Sequence, residues 1–452
     1  MFDVIVIGAG PAGYEAASLL GNAGKEVCLV EKSEKLIGGT CLTEGCIPAK
    51  NFLESASYVA KQKYFATCGV NMHLESFDME GLKQRTNALI GDLQGGISTK
   101  LKKAKVTIKY GTASFINENT LKISGENEEE ISAKHIIIAS GSNHREHPLM
   151  QLQDDKIISS REMFSLKSIP ESVLVIGGGA IGCEFATFLN SFGCNVHIAE
   201  FTAGLVPAED DDVAKALKRE LEKKGIKVSL KANVTAYEIK DDKIEVTIDL
   251  GKKTEINTYE KVLISIGRVP NSMALDLDKG NINSDRDFIE VNDNLQSISN
   301  PNVYAIGDVI KTPALAHVAY YEAKRVVQQI LGLEVFTKDT LIPSVTFSSP
   351  QVASIGQAEK ALKESQTPYK AKKLFFKSNG KAKIKGDDSG FVKVVYNEDT
   401  LEVLGASIIG NDATELIHQF LIAINAKLTL KDIEKMIFAH PTLSESTLDL
   451  LH

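Results

Sequence analysis

The sequence predicts an α/β protein with two dinucleotide-binding domains followed by a C-terminal α+β domain. Three observations support this fold class. A glycine-rich βαβ pattern occurs twice, the composition is that of an ordinary globular protein, and the last part of the chain has strand patterns followed by helix patterns. The chain has 452 residues, of which 43% are hydrophobic and 24% are charged. This length is enough for several domains, each with its own core.

Charge and hydropathy argue against two classes of function. The formal net charge is -8, so no broad basic surface is expected, and nucleic acid is not an expected partner. No apolar run approaches the roughly 20 residues that a membrane-spanning helix needs. The first strand pattern begins almost at Met1 and leaves no room for a secretion signal. We therefore expect a cytoplasmic protein with no membrane segment.

The two glycine-rich segments, residues 4–31 and 173–200, have the same length and the same order of landmarks. Each begins with an apolar strand pattern, passes through Gly-x-Gly-x-x-Gly into a helix pattern, and ends in an apolar run that closes on a glutamate. This match favours a repeated Rossmann-like unit over unrelated glycine turns. The paired positions are Gly8 and Gly177, Gly10 and Gly179, Gly13 and Gly182, Glu15 and Glu184, and Glu31 and Glu200.

The three glycines of each copy have separate roles in holding a dinucleotide. The first makes the tight turn, the second lets the backbone approach the pyrophosphate, and the third lets helix and strand pack closely. The helix N-terminus presents N–H groups and a positive dipole end to the phosphates. The final glutamate accepts hydrogen bonds from the ribose hydroxyls. Glu200 favours NAD over NADP at the second copy, because its carboxylate would repel a 2′-phosphate.

Six cysteines in a chain of this length do not indicate a disulfide scaffold. Cys28, Cys183 and Cys194 lie in apolar βα segments, and we interpret them as small buried hydrophobic side chains. Cys41 and Cys46 stand in a different context, a glycine-flanked segment between the two repeated units.

This segment reads Gly38-Gly39-Thr-Cys41-Leu-Thr-Glu-Gly-Cys46-Ile-Pro-Ala-Lys50. A helix turn or a tight loop could bring the two sulfurs into bonding range. The alternatives are two buried thiols, half of a zinc site, or a cystine that only braces a loop. A zinc site needs more ligands, and the next Cys or His is Cys68. A bracing cystine is not expected in a reducing compartment, so the pattern favours a redox-active pair.

The motif Gly-Gly-Thr-Cys-(four residues)-Cys-Ile-Pro-x-Lys, just after a nucleotide-binding unit, resembles the flavoprotein disulfide reductases. This family includes dihydrolipoamide dehydrogenase, glutathione reductase and mercuric reductase. The likeness runs along the whole chain. Residues 265–271 resemble the return from the NAD domain, 303–308 the second FAD motif, 343–356 the start of the dimerisation domain, and 439–445 the catalytic His-Pro-Thr…Glu motif. The resemblance implies FAD at the first unit, NAD at the second, and a homodimer.

The resemblance also implies roles for four side chains. Cys41 would exchange with the substrate, and Cys46 would face the flavin and form a charge-transfer pair with it. His440 would act as a base on the cysteines of the partner subunit, a role that suits a group titrating near neutral pH. Glu445 would hold the imidazole in one tautomer and stabilise its cation. A monomer would then be inactive.

Further cofactor contacts follow from the same resemblance. Lys50 would place a positive charge near the flavin, with Glu184 as its partner near the nicotinamide, whereas the alternative for both is a solvated helix charge. The remaining candidates are Ala113, Asp308 and Ala316 for FAD, and Val234 and Gly267 for NAD. We expect residues 1–145 to hold FAD and the redox pair, 146–265 to hold NAD, 266–335 to complete the FAD site, and 336–452 to form the dimer interface. Strands are expected in this interface domain at 352–355, 391–396 and 403–409.

The substrate is predicted from fewer residues. Leu443 in the His-Pro-Thr motif and Glu200 favour oxidation of dihydrolipoamide with NAD. The partners would be the lipoyl domains of a 2-oxoacid dehydrogenase acyltransferase or a glycine-cleavage protein. One alternative is an NADPH-dependent disulfide reductase of the glutathione reductase type, but no arginine cluster accompanies Glu200. Another is a catalytically silent, flavin-bearing structural subunit, against which the intact set of Cys41, Cys46, His440 and Glu445 argues.

Four places depart from the pattern of the dehydrogenase branch. That branch has Asn-Val between its cysteines, a serine before the lysine, and His-Ala-His before Pro-Thr, and it has a glutamate after the proline of the dimerisation motif. Here those places are taken by Thr43-Glu44, Ala49, Phe438 and Gln351. The histidine that is retained, His440, is the catalytic one in the family, so the expected chemistry is unchanged.

Overall fold

The computed structural model describes residues 1–126, 128–153 and 155–451, without the side chain of Lys63. Its strands, in chain order, are β1 (Phe2–Ile7), β2 (Val27–Glu31), β3 (Thr107–Tyr110), β4 (Thr112–Asn117), β5 (Thr120–Ser124), β6 (Glu129–Ile138), β7 (Ser142–His144), β8 (Ile157–Ser159), β9 (Ser172–Ile176), β10 (Asn195–Glu200), β11 (Lys227–Leu230), β12 (Asn233–Lys240), β13 (Lys243–Asp249), β14 (Thr254–Tyr259), β15 (Lys261–Ile264), β16 (Arg268–Pro270), β17 (Ser284–Asp285), β18 (Phe288–Ile289), β19 (Val303–Ala305), β20 (Ser344–Thr346), β21 (Gln351–Gly356), β22 (Tyr369–Phe375), β23 (Phe391–Asn397) and β24 (Val403–Gly410).

The α-helices are distributed between these strands. They are α1 (Pro11–Asn22), α2 (Gly39–Thr43), α3 (Cys46–Ala60), α4 (Gln62–Thr67), α5 (Met79–Lys103), α6 (Ala180–Ser191), α7 (Asp211–Lys223), α8 (Ala316–Leu331), α9 (Glu359–Glu364), α10 (Gly380–Lys385), α11 (Ala413–Asn425), α12 (Leu430–Glu434) and α13 (Ser446–Asp449). No helix among the described residues is long and apolar enough to cross a membrane.

The chain divides into two compact units. The first contains Met1–Ala49, Glu80–Arg145 and Gly267–Thr340. Its main sheet has the order β3-β2-β1-β6-β5-β4, with β19 also paired to β6. Strands β1, β2 and β3 pair in parallel, and so do β1 and β6. Parallel strands are buried on both faces, which explains the continuous apolar run at the start of the chain.

The second unit contains Lys50–Met79, Glu146–Ile266 and Leu341–His452. Its parallel sheet has the order β11-β10-β9-β15-β8. The segment between β11 and β15 in the sequence forms the antiparallel sheet β12-β13-β14. The C-terminal part forms an antiparallel sheet of order β20-β21-β24-β23-β22, against which helix α11 packs. The three strands expected in this region are confirmed as parts of β21, β23 and β24.

The α/β fold class with a C-terminal α+β domain is therefore confirmed. The division into four domains remains a prediction. Within the two observed units, residues 50–79 belong to the second unit, although the sequence assigned them to the FAD domain. One physical reason is aromatic packing, because Phe52 lies against Phe164 and Phe188 of the second unit, with ring centroids 5.3 and 5.0 Å apart.

Candidate functional site

The first glycine turn connects β1 to α1 through a backbone that only glycine fits. Gly8 has φ +99, and a Cβ there would lie 2.4 Å from the carbonyl oxygen of Ala139. A Cβ on Gly13 would lie 1.8 Å from the carbonyl oxygen of Gly8. Glu31, at the end of β2, accepts a hydrogen bond from the N–H of Ala9 at 2.7 Å. Strand, turn and helix are thus held in the geometry that a dinucleotide-binding unit requires.

Helix α1 begins as an anion-binding helix should. Its N-cap is Gly10, whose lack of a side chain leaves the first turn without a side-chain cap, and Pro11 occupies the first helical position. The N–H groups of the first turn and the positive end of the helix dipole suit a pyrophosphate. The residues present therefore fit the phosphates of a dinucleotide.

The cysteine-bearing segment packs directly on this turn. Gly38 has φ +96 and its N–H donates to the carbonyl oxygen of Ala9 at 2.9 Å. Gly39 has φ +62, and a Cβ there would lie 2.5 Å from the Cα of Gly10. The two glycines are therefore required by left-handed backbone and by close approach. They place Cys41, half-buried in α2, beside the predicted flavin site, whereas Cys46 is exposed as the first residue of α3.

A tyrosine pair near these cysteines escaped the sequence analysis. The hydroxyl groups of Tyr14 on α1 and Tyr320 on α8 share a short hydrogen bond, and their rings meet edge to face with centroids 5.9 Å apart. Burial raises the pKa of both hydroxyls, and the charge of Cys41 adds to the increase in each. Both hydroxyls are therefore protonated at neutral pH. No local pattern could have revealed the pair, because the two residues are 306 positions apart.

Asp308 lies in a short 3₁₀ turn of the first unit, Gly307–Val309. Its Oδ2 accepts a hydrogen bond from the hydroxyl of Ser142 at 2.5 Å, and the Nε of Arg268 lies 3.7 Å away. Arg268 also donates to the Ser142 hydroxyl at 2.7 Å, so the carboxylate is held from two sides. The other two predicted FAD contacts are in the same unit: Ala113 is buried in β4 and Ala316 is the first residue of α8.

The second glycine turn repeats the geometry of the first. Gly177 has φ +105, and a Cβ there would lie 2.5 Å from the carbonyl oxygen of Ser265. A Cβ on Gly182 would lie 2.0 Å from the carbonyl oxygen of Gly177, whereas one on Gly179 would meet no atom within 4 Å. This clearance lets a pyrophosphate approach the backbone, so the residues fit a dinucleotide here as well.

Glu200 closes the second turn with both carboxylate oxygens. Oε2 accepts the N–H of Gly178 at 2.5 Å and Oε1 accepts the N–H of Thr202 at 2.7 Å. Each oxygen keeps a further lone pair for a ribose hydroxyl. Of the two remaining NAD candidates, Val234 is buried in β12 of the same unit, whereas Gly267, with φ +110, belongs to the first unit.

The ion pair predicted between Lys50 and Glu184 is present, so neither is a solvated helix charge. The Lys50 Nζ lies 2.8 and 3.0 Å from the two carboxylate oxygens of Glu184. Glu184 is only 5% exposed and also accepts the N–H of Phe347 at 2.9 Å. The ammonium group lies over the Phe347 ring, 4.6 Å from its centroid. The pair is thus fixed in position, as a charge beside a cofactor would have to be.

His440 and Glu445 are joined as the sequence suggested. The Nδ1 of His440 lies 2.8 Å from Oε1 of Glu445, and the other carboxylate oxygen accepts the N–H of Thr442 at 2.7 Å. These two bonds hold the pKa of Glu445 below its usual value, and the bond from Thr442 has the larger effect. The imidazole is oriented through Nδ1 while the side chain stays 80% exposed. The pair belongs to the second unit, and Cys41 and Cys46 belong to the first.

The three cysteines interpreted as core residues are buried. Cys28 and Cys183 are fully buried and Cys194 nearly so. Burial raises the pKa of Cys28 and of Cys194 to about 12, and it raises that of Cys183 as well. These thiols are therefore inert at neutral pH. Among the described residues, no group of three or more His, Cys, Asp or Glu side chains could hold a metal ion.

Comparison with known proteins fits this geometry. Residues 2–323 match the family model described as pyridine nucleotide-disulphide oxidoreductase, and residues 342–450 match its dimerisation domain. The chain belongs to the pyridine nucleotide-disulphide oxidoreductase family. As a member it is an oxidoreductase with FAD and NAD as its cofactors, and its C-terminal region is the family's dimerisation domain.

Curated relatives of this oxidoreductase match it over nearly its whole length. The dihydrolipoyl dehydrogenase of Bacillus subtilis is 36% identical over 445 residues, which cover 98% of this chain and 96% of the relative. That of Chlamydia muridarum is 35% identical over 446 residues, covering 98% and 95%. The mitochondrial dihydrolipoyl dehydrogenase 1 of Arabidopsis thaliana is 36% identical over 451 residues, covering 98% and 88%.

Two solved structures share the fold. The Cu(II) complex of the HOCl-induced flavoprotein disulfide reductase RclA from Escherichia coli superposes with a TM-score of 0.90 at 26% identity, covering 100% of this chain and 98% of that one. LpdA from Mycobacterium tuberculosis gives a TM-score of 0.91 at 23% identity, covering 99% and 98%. The second likeness concerns the fold alone.

Proposed function

We propose that this oxidoreductase is a dihydrolipoyl dehydrogenase, which oxidises dihydrolipoamide to lipoamide through Cys41 and Cys46 and passes the electrons to NAD⁺. The observation that carries the proposal is the close contact between Gly39 and Gly10, which holds the cysteine segment against the first dinucleotide turn. The near full-length likeness to curated dihydrolipoyl dehydrogenases supports this substrate. Bound FAD supplies a two-electron carrier beside the cysteines, and bound NAD⁺ supplies a hydride acceptor.

The thiol chemistry uses the two cysteines in order. One thiolate of the substrate attacks the sulfur of Cys41 in the oxidised pair, which forms a mixed disulfide, breaks the bond to Cys46 and leaves Cys46 as a thiolate. The second substrate thiolate then attacks the substrate's own sulfur in the mixed disulfide. This closes the cyclic product and releases Cys41. The position of Cys46 at the start of α3 stabilises its negative charge through the helix dipole.

His440 accepts the protons that the substrate thiols lose. Its Nδ1 is engaged by Glu445, so Nε2 is the nitrogen that takes a proton. The carboxylate fixes the tautomer and stabilises the imidazolium that results, in the manner of a catalytic triad. We assign this pair to the cysteines of the second subunit of a homodimer, a proposal that the family's dimerisation domain supports.

Glu200 selects NAD over NADP. Both of its oxygens face the second turn and are fixed by backbone N–H groups, so a 2′-phosphate would approach a carboxylate that cannot swing away. The expected partners are lipoyl domains, either of a 2-oxoacid dehydrogenase acyltransferase or of a glycine-cleavage protein. The expected compartment is the cytoplasm.

The decisive test mixes the purified yellow protein with dihydrolipoamide and then with NAD⁺ or NADP⁺. We expect rapid NADH formation and roughly 100-fold lower kcat/KM with NADP⁺, since like charges oppose each other at Glu200. Cys46→Ser should lower the rate roughly 1,000-fold or more while the protein stays yellow, because the second sulfur is lost but the flavin site is intact. The matched control is Cys68→Ser, which removes an exposed thiol outside the redox segment and should leave both rates unchanged.

Two results would contradict the proposal. Reduction of glutathione disulfide by NADPH, without oxidation of dihydrolipoamide, would favour the glutathione reductase type. A yellow protein that binds NAD⁺ but oxidises no dithiol would favour a structural subunit. A further variant, His440→Gln, tests the role of His440 as the base. It should lower dithiol oxidation roughly 100-fold to 10,000-fold without changing the flavin content.

A further inference from the structure

An aromatic ring is exposed at the edge of the second dinucleotide turn. Phe201 directly follows Glu200, and 73% of the residue is exposed. Exposed apolar side chains are common on protein surfaces, so exposure alone decides nothing. Two further features distinguish this one, namely the rigidity of its loop and its position relative to the ribose-binding carboxylate.

The loop that carries Phe201 is fixed on both sides. The N–H of Thr202 donates to Glu200 at 2.7 Å, and the hydroxyl of Thr202 donates to the carbonyl oxygen of Gly204 at 2.9 Å. The N–H of Val206 donates to the carbonyl oxygen of Gly178 at 2.8 Å. The N–H of Lys231 donates to the carbonyl oxygen of Thr202 at 2.9 Å. Phe201 is therefore anchored to the glycine turn and to Glu200, and its backbone is not a mobile loop tip.

The geometry of a dinucleotide places its base next to this residue. A dinucleotide bound in the manner of this motif would have its pyrophosphate at the start of α6, Ala180–Ser191, and Glu200 at the end of β10 would take the ribose hydroxyls. The adenine is attached to the far side of that ribose from the phosphates. It must therefore lie beyond Glu200, where the loop begins with Phe201.

The first repeat shows what this position looks like when it holds a different residue. The residue that follows Glu31 is Lys32, a charged side chain, whereas the residue that follows Glu200 is Phe201. The two copies have the same backbone geometry up to this glutamate. The aromatic ring after it occurs only in the second copy.

We propose that Phe201 stacks on the adenine ring of NAD and so contributes to the affinity of the second site for adenine dinucleotides. The inference rests on the assignment of NAD to the turn at Gly177 and Glu200. A phenyl ring and a purine present flat apolar faces to each other, and base–aromatic stacking changes affinity by roughly tenfold when the aromatic residue is replaced by alanine. The backbone that carries the ring is fixed before the ligand arrives, so only the side chain has to be ordered on binding.

The chain contains no tryptophan, which gives a direct spectroscopic test. Phe201→Trp introduces the only indole in the protein, at the proposed contact. We expect its fluorescence to be quenched when ADP-ribose is added, because the indole stacks on adenine. Nicotinamide mononucleotide, which has no adenine, should not produce this quenching at concentrations that occupy the site.

Binding measurements by calorimetry on the flavin-loaded protein provide the second readout. Phe201→Ala should weaken ADP-ribose binding roughly tenfold, and Phe201→Tyr should keep it within about twofold of the parent because the flat ring is retained. Binding of nicotinamide mononucleotide should be the same in all variants. The control is Ile256→Ala, which removes a 65% exposed apolar side chain from β14 of the same unit and should change neither affinity.

The outcomes separate this inference from the proposed function. If the parent protein binds ADP-ribose and Phe201→Ala binds it equally well, the stacking contact is refuted while the NAD site stands. If Phe201→Ala weakens both ligands equally, the side chain supports the loop and does not contact the base, which also refutes the inference. If the parent protein binds no ADP-ribose, the assignment of NAD to this turn fails and the inference fails with it.

Discussion

The two glycine turns share their backbone geometry but differ in what lies against the middle glycine. Gly8 and Gly177 have φ values of +99 and +105, and in each copy the final glutamate accepts a backbone N–H from the turn. At the first turn, Gly39 of the cysteine segment approaches Gly10 so closely that a Cβ on Gly39 would lie 2.5 Å away. At the second turn, a Cβ on Gly179 would meet no atom within 4 Å, whereas a Cβ on the equivalent Gly10 would lie 3.9 Å from the Cα of Gly39.

This difference is consistent with the proposed assignment of FAD to the first turn and NAD to the second. A turn covered by a packed segment suits a cofactor that stays bound through every catalytic cycle. An open turn suits a nucleotide that must enter and leave once per turnover. On this assignment the same local sequence serves a retained group and an exchanged one, and a distant part of the chain makes the distinction.

The largest effect should come from breaking the covered turn. Gly39→Ala forces an alanine into left-handed backbone, which costs roughly 1–2 kcal/mol, and it places a methyl group against the backbone of Gly10. The cysteine segment must then move away from the turn. We expect the purified protein to lose most of its flavin, measured as the ratio of flavin absorbance to protein absorbance, and dithiol oxidation should fall in proportion.

The matched variant is Gly179→Ala at the open turn. Gly179 has φ −73, an ordinary value for any residue, and its Cβ would meet no protein atom. This protein should remain fully yellow and should instead bind NADH more weakly, because the methyl group obstructs the pyrophosphate. Equal flavin content in the two variants would contradict the distinction between a covered and an open turn.

A second difference between the repeats concerns acid stability. The residue after Val27 in the first copy is Cys28, and the residue after Val196 in the second is His197. His197 is buried between the hydroxyl groups of Tyr259 at 2.5 Å and Ser229 at 2.9 Å. Burial, with a smaller contribution from Lys227, lowers the pKa of His197 to about 4.

The sign of the resulting pH dependence follows from linkage. The unfolded chain binds a proton at His197 near pH 6.5 and the folded protein only near pH 4, so this contribution to stability is complete above pH 6.5. It is lost as the pH falls through that window, by roughly 3 kcal/mol in total. We expect the free energy of urea unfolding to fall accordingly between pH 7 and pH 4.

Replacing the histidine isolates its share of this loss. His197→Gln should make unfolding less sensitive to pH within this window, although its stability at pH 7 should be lower because the packing is imperfect. Cys28→Ala is the control in the first repeat. The thiol of Cys28 is neutral throughout this range, since its pKa is about 12, so the variant should lose the same stability at both pH values. An unchanged pH dependence in His197→Gln would show that other groups are responsible.

Local sequence was sufficient for the parts of the molecule that local physics determines. The glycine spacing predicted both turns, because φ values near +100 and sub-van-der-Waals approaches exclude other residues. The pairing of His440 with Glu445 could be predicted because the two residues are only five positions apart. A turn followed by the 3₁₀ helix Leu443–Glu445 brings their side chains into contact. Apolar runs likewise predicted three of the five strands of the C-terminal sheet, β21, β23 and β24, but not β20 or β22.

Contacts between residues far apart in the sequence could be predicted only where the family resemblance indicated them. Lys50 and Glu184 are 134 residues apart, and the family pattern suggested their pairing. Tyr14 and Tyr320 had no such guide, and the sequence did not indicate their hydrogen bond. The close approach of Gly39 to Gly10 was also missed, because a Gly-Gly pair indicates flexibility and close packing equally well in a sequence.

A further position of the repeat, Glu15 in the first copy and Glu184 in the second, also holds the same residue with different surroundings. Glu15 in α1 pairs with Lys100, and their side chains are 14% and 42% exposed. Glu184 in α6 pairs with Lys50, their side chains are 7% and 32% exposed, and Glu184 also accepts the N–H of Phe347. A surface pair contributes about 0–1 kcal/mol. Removing one partner of a buried pair costs more, because the remaining charge and donor lose their acceptor.

We therefore expect Glu184→Gln to lower the free energy of unfolding by roughly 2 kcal/mol, a value kept below that of a fully buried pair because Lys50 is 32% exposed. Glu15→Gln should lower it by less than about 1 kcal/mol. Both are measured by urea unfolding of the flavin-loaded protein. Hydride transfer to NAD⁺, followed in single turnovers, should slow in Glu184→Gln alone, because only that variant releases Lys50 from its fixed position over Phe347. If the two variants were equally mild in both assays, burial would not distinguish the two glutamates, and the Lys50–Glu184 pair would be a surface ion pair like that of Glu15.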